Sequence, residues 1–231
     1  TDGELWPIAP FSAAAQVGLV NIALNSGGAP GHLPLVFATK HGILPSFPLL
    51  AASIAAGVPP QVTSRGVVLG ERVISPDLGL YMPLRVLGPR GTVETISARS
   101  LTSGAVAVLG VTATGVGDTF GTPFDQITPG VELLASGIGQ ILGGPGLVRD
   151  GEIRRIDAGA VVLLGLAAVV LLAFLPIGWA MALVLLLTGG WLVATGLLFA
   201  GGYWLSAVLP LAGVLPVAAM TGWLRQRHER K

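Results

Sequence analysis

Residues 158–224 read AGAVVLLGLAAVVLLAFLPIGWAMALVLLLTGGWLVATGLLFAGGYWLSAVLPLAGVLPVAAMTGWL. This tract of 67 residues holds no Asp, Glu, Lys or Arg and is bounded by Asp157 and Arg225. No globular surface is so free of charge over that length. A bilayer's hydrocarbon layer, about 30 Å thick, takes roughly 20 apolar residues per helical pass. Drawn as one helix at ~1.5 Å per residue, the tract would run roughly 100 Å, so it must fold back. Pro176 and Gly178 break it once and Gly201-Gly202 break it again, which predicts three passes near 158–175, 178–200 and 203–224. The chain reads as a membrane protein.

The residues around the breaks support that reading. Trp179, Tyr203, Trp204 and Trp223 fall at the ends of the passes, where aromatic side chains and a flanking Arg225 act as interface anchors. Pro210 and Pro216 lie inside the third pass and are expected to kink it, since each lacks a backbone donor. No acidic, basic or His side chain lies within a span. That argues against an ion channel, proton relay or transporter, which place such groups in the membrane. Gly196 and Ala200 form a small-xxx-small spacing that suits a helix contact within or between chains. The expected partners are therefore the lipid bilayer and other membrane chains, in a homodimer or a larger complex.

The remaining composition bounds the rest. The net charge is +1, so nothing points to nucleic acid. Gly (34) and Pro (17) make up about a fifth of the 231 residues, which implies many turns outside the membrane. There is no cysteine, hence no disulfide and no thiol-based metal site. Residues 1–157 suffice for one ordinary domain. Thr1 is not a start methionine and no apolar leader follows it, so an export signal is expected upstream. Three passes put this domain and the tail Arg225-Gln-Arg-His-Glu-Arg-Lys231 on opposite sides. The tail carries four Lys/Arg against Arg149, Arg154 and Arg155 before the tract, which places it in the cytoplasm. The domain then lies outside an inner, cytoplasmic membrane.

Within that domain, residues 17–22 and 33–38 read as short strands flanking a turn cluster at 25–31, with Pro34 at a strand start or sheet edge. Residues 49–56 read as a helix with Ser46 as cap and Gly57 beyond it. Residues 65–74 resemble a hairpin turning at Gly70-Glu71, and 80–86 an edge strand carrying Pro83. Thr92 to Ser100 is an extended connection. The run 104–111 gives the strongest buried-strand signal, and 130–142 places Val131, Leu134, Ile138 and Ile141 on one helical face, stopped by Gly143-Gly144. Strand, long loop and helix would be half of a βαβ unit, so the domain reads as α/β.

The loop between them, Gly110-Val-Thr-Ala-Thr-Gly-Val-Gly-Asp-Thr-Phe-Gly-Thr-Pro-Phe124, would sit at the carboxyl end of a central strand, where ligands of open sheets bind. It is neither a Walker loop nor a dinucleotide fingerprint, since neither Gly-Lys-Ser/Thr nor the third glycine is present. Asp118 reads either as a turn-stabilising cap or as a ligand contact. No His and no second carboxylate is spaced for acid–base work, so catalysis is not expected and no cofactor is implied. His32 and His41 read as exposed loop residues, and two histidines without supporting ligands make no metal site.

Leu109 to Asp118, then Thr122-Pro123, then Pro129-Gly-Val-Glu132 and a short helix, resemble the closing part of a CHASE domain of the second class, the cyclase/histidine-kinase-associated sensory extracellular domain. Gly18 to Asn21, Leu33-Pro-Leu35, Pro45-Ser46-Phe47, Asp77-Leu-Gly79 and Leu80 to Leu84 resemble its earlier parts, and the three helices followed by a basic stretch match its order. The resemblance implies an extracytoplasmic sensory domain over 1–152, three transmembrane helices within 153–224 and a cytoplasmic tail at 225–231. Asp118, Thr119, Thr122 and Glu132 are the expected ligand-binding set. The family's first membrane helix and first strand region are not found within residues 1–231, its Val-Glu-Ile-His-Ala has become Val131 to Ala135 with Leu134 in place of His, and the effector that family members carry after the helices is expected beyond Lys231 or on another chain.

Two functions follow as expectations. The first is a membrane-anchored sensor module of a bacterial signal-transduction receptor, relaying through three helices to a cytoplasmic effector. The second is a non-catalytic structural or accessory subunit of a membrane complex derived from such a sensor. Neither makes the chain an enzyme.

Overall fold

The computed structural model describes residues 5–229 apart from 41, 65, 102–105, 114 and 145, with the side chains of 98, 224 and 226–229 also set aside. The chain forms two compact units, residues 1–146 and 147–231.

The first unit is a mixed α/β domain. A short helix α1 (Ala9–Ala14) precedes β1 (Ala23–Leu24) and β2 (Pro30–Pro34), which pair antiparallel around the turn at 25–29. That turn is held by Asn25, whose Oδ1 accepts from the Gly27 and Ala29 N–H groups. A hairpin of β3 (Val36–Thr39) and β4 (Gly42–Pro45) leads into helix α2 (Phe47–Ala56). Ser46 caps α2 by accepting from Leu49 N–H, and Gly57 closes it at φ +68°, as the sequence predicts. A three-stranded meander follows: β5 (Gln61–Thr63), β6 (Gly66–Leu69) and β7 (Arg72–Ile74). Its second turn is the expected Gly70-Glu71, with Gly70 at φ +63°. Strand β8 (Tyr81–Pro83) then pairs with β2, completing the order β1-β2-β8. Pro83 therefore sits on an edge strand, where its missing donor is harmless, whereas Pro34 ends the central strand. A small pair, β9 (Thr119–Phe120) and β10 (Thr128–Pro129), runs directly into helix α3 (Gly130–Leu142).

The core gathers Leu33 and Leu35 beside β2, Leu49 and Ala52 of α2, Val67, Leu69 and Ile74 of the meander, Met82 of β8 and Ile141 of α3. Helix α3 reaches β2 closely because Gly137 has no side chain: a Cβ there would lie 2.8 Å from Leu33 Cδ2. Arg72 ties the other end of α3 by donating to the Gln140 carbonyl at 3.2 Å. That carbonyl is among the last of the helix, where its backbone partner is the C-cap Gly143 N–H at 3.3 Å.

Three expectations fail in this unit. Residues 17–22 are not a strand; Leu19 makes only an isolated parallel bridge to Ser46, and the ladder starts at Ala23. Residues 106–111 carry no strand either, and Val106, Leu109 and Val111 are exposed. Residues 104 and 105 lie outside the described residues. Gly110 instead abuts Val131 at the start of α3, and Gly117 folds back onto the Val111 carbonyl, so the segment closes on itself without pairing. A continuous apolar run fits a buried strand by composition, but only a neighbouring strand makes it one. With that strand gone, no βαβ half-unit exists among the described residues, and every described sheet is antiparallel.

The second unit is helical: α4 (Gly151–Phe174), α5 (Ile177–Ala200) and α6 (Val208–Glu229). Asp150 caps α4, its Oδ1 accepting from the Glu152 and Ile153 N–H groups, both at 3.1 Å. Helices α4 and α5 are long and apolar enough to cross a membrane, and only 22% and 17% of their apolar windows are buried. A core helix of a soluble protein would be mostly buried. Helix α6 is apolar only over Val208–Trp223 and starts at Val208, not at Tyr203, because residues 201–207 form a loop. Pro210 thus falls in the first turn, where a missing donor costs nothing, and Pro216 alone is interior. Ala168, Val184 and Val214 pack the three helices together.

Candidate functional site

A shallow cleft in the first unit lies between α3 and the loop 86–93, with Glu132 at its wall. The loop is shaped by its own sequence. In Pro89-Arg-Gly-Thr92 the Thr92 N–H donates to the Pro89 carbonyl at 3.1 Å, and Gly91 takes φ +85°. This is the type II arrangement, with Gly at the position that demands positive φ. The turn leaves the Gly91 N–H facing outward, and it donates to Glu132 Oε2 at 2.9 Å. Arg90 ties the loop further by donating to the Thr112 carbonyl at 2.9 Å.

Glu132 sits in the first turn of α3, where the unpaired N–H groups favour a negative charge. It is 8% exposed. One carboxylate oxygen is occupied by Gly91. Thr128 and Ser136, on either side of it along the chain, line the same cleft with Leu133 and Val86. Ser136 Oγ is already committed, donating to the Glu132 carbonyl at 2.8 Å. The whole space is about 200 Å³ including its mouth. The enclosed part is only about 10 Å³, room for about one water-sized polar group, so a larger ligand requires the 86–93 loop to move.

Of the four residues assigned by sequence, only Glu132 lines this cleft. Asp118 and Thr119 are exposed, and among the described residues the Asp118 carboxylate has no hydrogen-bond partner. Its role is in the backbone: the Asp118 carbonyl accepts from Gly130 N–H at 2.9 Å, joining β9 to the start of α3. Thr122 holds the turn between β9 and β10. Its Oγ1 accepts from Asp125 N–H at 3.1 Å and pairs with Thr128 Oγ1 at 3.1 Å. The four residues converge on one hairpin and helix start, but with different duties. The 88–92 loop was missed by sequence reading, although Pro89-Arg-Gly91 is a turn signal of the kind that could have found it.

His32 is not a loop residue. It lies half-buried on β2 with Nε2 3.3 Å from Asp77 Oδ2; His41 lies outside the described residues. Among the described residues no group of three or more His, Asp or Glu is placed to hold a metal.

In the helical unit, Trp179, Tyr203 and Trp223 are exposed. Trp204 is half-buried beneath the Arg149 guanidinium, 5.4 Å from its ring centroid. Arg225 donates from Nη1 to the carbonyls of Leu172 and Leu175 at the end of α4. Both therefore serve contacts inside the unit. Gly196 and Ala200 are exposed, and a Cβ on Gly196 would meet nothing, so they make no helix contact within the chain among the described residues.

The CHASE2 domain family matches the chain over residues 4–175, from the first unit through the end of α4. No curated protein and no solved structure matches it.

Proposed function

Because the chain belongs to the CHASE2 family of sensory extracellular domains of signalling receptors, we propose that it is the membrane-anchored sensor module of such a receptor, relaying a signal through its helices to an effector in the cytoplasm. The observation that carries this reading is the pairing of a sensory domain with two consecutive apolar helices that leave most of their surface uncovered. Helix α6 is the third crossing. Its apolar part, Val208–Trp223, spans roughly 24 Å at ~1.5 Å per residue, somewhat short of the ~30 Å hydrocarbon. Local thinning of the bilayer takes up such a mismatch at modest cost. With three crossings, the basic residues at 225–231 support a cytoplasmic tail and a domain, residues 1–150, outside the cytoplasm.

The signal enters at the Glu132 cleft, where a buried carboxylate favours a cationic or hydroxyl-bearing ligand. A second reading, an accessory subunit, draws on a different observation. Leu109 is 94% exposed and Val116 77%, and exposed apolar side chains grouped on one loop mark protein–protein surfaces.

Protease added to the cytoplasmic face of sealed vesicles tests the topology. Cleavage within 225–231 with residues 1–150 protected is expected; cleavage in the domain instead refutes it. Purification from native membranes separates the two functions, a stoichiometric companion bound through the 106–116 loop favouring the subunit.

A further inference from the structure

Asp157 is a carboxylate in the second turn of α4, and it is only 2% exposed. Nothing in its role as the edge of an apolar tract explains that burial. Its Oδ2 lies 3.1 Å from Arg149 Nη2, and its Oδ1 accepts the Ser206 N–H at 2.9 Å. Arg149 also donates from Nη1 to the Trp204 carbonyl at 2.7 Å. The backbone repeats the link: Val148 N–H donates to the Gly202 carbonyl and Trp204 N–H to the Val148 carbonyl. Ser206 passes the hold to α6, its Oγ accepting Leu209 N–H at 3.1 Å in the first turn. The start of α4 is thus clamped to the start of α6.

The other ends are clamped as well. Arg225, near the end of α6, donates to the carbonyls of Leu172 and Leu175. These belong to the last turn of α4 and its cap, where carbonyls have no helical partner. Between the clamps the Val161 side chain packs directly on the bare backbone of Gly213: a Cβ there would stand 2.9 Å from Val161 Cγ1. Helix α5 is held differently. Its polar tie to the loop is the Trp191 indole, donating to the Ser206 carbonyl at 3.2 Å, and Gly189, Gly190 and Gly196 face open space.

We infer that α4 and α6 act as one rigid pair, clamped through Arg149–Asp157–Ser206 at one end and Arg225 at the other, with α5 packed against the pair through Val184 but outside both clamps. Breaking the Arg149–Asp157 pair strands a buried carboxylate, and losing Arg225 leaves the carbonyls ending α4 without that donor. Resting on the sensor reading, this sets the route of the signal: α4 follows the sensory domain directly in the chain, and its displacement reaches the basic end of α6 without passing through α5. Arg149, Asp157 and Arg225 are positioning residues in this relay.

The chain has no cysteine, so introduced thiols report cleanly. In the full chain in lipid vesicles, Val161→Cys with Gly213→Cys puts two Cβ atoms about 4.0 Å apart, inside the ~3.5–4.5 Å range of disulfides. Mild oxidation is expected to close the bond and, once the vesicles are dissolved in SDS, to block labelling by a polyethylene-glycol maleimide. A control pair, Gly165→Cys with Gly196→Cys, is expected to stay labelled. Adding Arg225→Gln or Arg149→Gln is expected to slow closure several-fold. Persistent labelling of the first pair, or an unchanged closure rate in both clamp variants, overturns the inference. Arg225→Gln alone suffices where the Arg149 variant fails to accumulate. No ligand enters this experiment, so it fails or succeeds apart from the sensor reading, which the protease topology tests.

Discussion

Two glycines on the same helix are expected to respond to the same substitution with opposite sign. Gly137 and Gly139 both lie inside α3, where Ala is favoured over Gly by ~0.8–1.0 kcal/mol. At Gly139 a Cβ meets nothing, so Gly139→Ala is expected to realise that whole gain. At Gly137 the Cβ lands 2.8 Å from Leu33 Cδ2, and Leu33 is fully buried between α3 and β8, with no room to retreat. Overpacking a filled core costs about 1–3 kcal/mol, which cancels or exceeds the helix gain. Gly137→Ala is therefore expected to be neutral to destabilising by ~2 kcal/mol, the difference between the clash and the propensity. The assay is pulse proteolysis of the full chain in micelles across a urea series, read as loss of the first unit. Tryptophan emission would serve poorly, because four of the five tryptophans lie in the helical unit. Leu33→Val removes the clashing methyl, so in its background the cost of Gly137→Ala should shrink, by a coupling of about 0.5–3 kcal/mol. Equal rises in midpoint for the two alanine variants would refute the claimed contact between α3 and β2.

Three further outcomes are expected. Arg149→Met leaves Asp157 buried beside an apolar neighbour and should destabilise the helical unit by about 3–5 kcal/mol, whereas Arg149→Met with Asp157→Leu should recover most of it; thermal unfolding in detergent reads both. Gly66→Ala should prevent normal accumulation, because Gly66 sits at φ +132° with Ile74 O 2.3 Å from the new Cβ. Gly115→Ala at φ +83°, in open space, should cost only ~1–2 kcal/mol, as denaturant midpoints would show. Glu132→Gln should weaken binding of a cationic ligand at least several-fold, while Asp118→Asn leaves it unchanged; titration of the full chain with candidate amines distinguishes them.

Sequence alone carried the local features whose cause is local. The Ser46 cap, the Gly57 stop, the Gly70 turn and the break at Pro176 are each fixed by residues within a few positions, and each appears where the residues place it. The uncharged tract was likewise legible as apolar helices, because charge content needs no partner to be read, and α4 and α5 are long and apolar enough to cross a membrane. Family order was legible for the same reason, as a succession of short glycine-rich motifs. The strand expected at 104–111 failed because strandness belongs to a pair, and no described strand lies beside it. Glu132 could be named from the sequence, but its separation from Asp118 into a cleft could not, since that depends on a turn 41 residues away donating the Gly91 N–H.

The same division holds in the helices. Charge counting made Asp157 a mere boundary marker of the apolar tract and Arg225 a boundary and interface anchor. Only the packed structure turned them inward, one onto Arg149 and Ser206, the other onto the carbonyls ending α4. A sequence states which groups cannot stand in lipid. Which partner satisfies each of them is decided by what the fold brings within about 3 Å, the reach of a hydrogen bond.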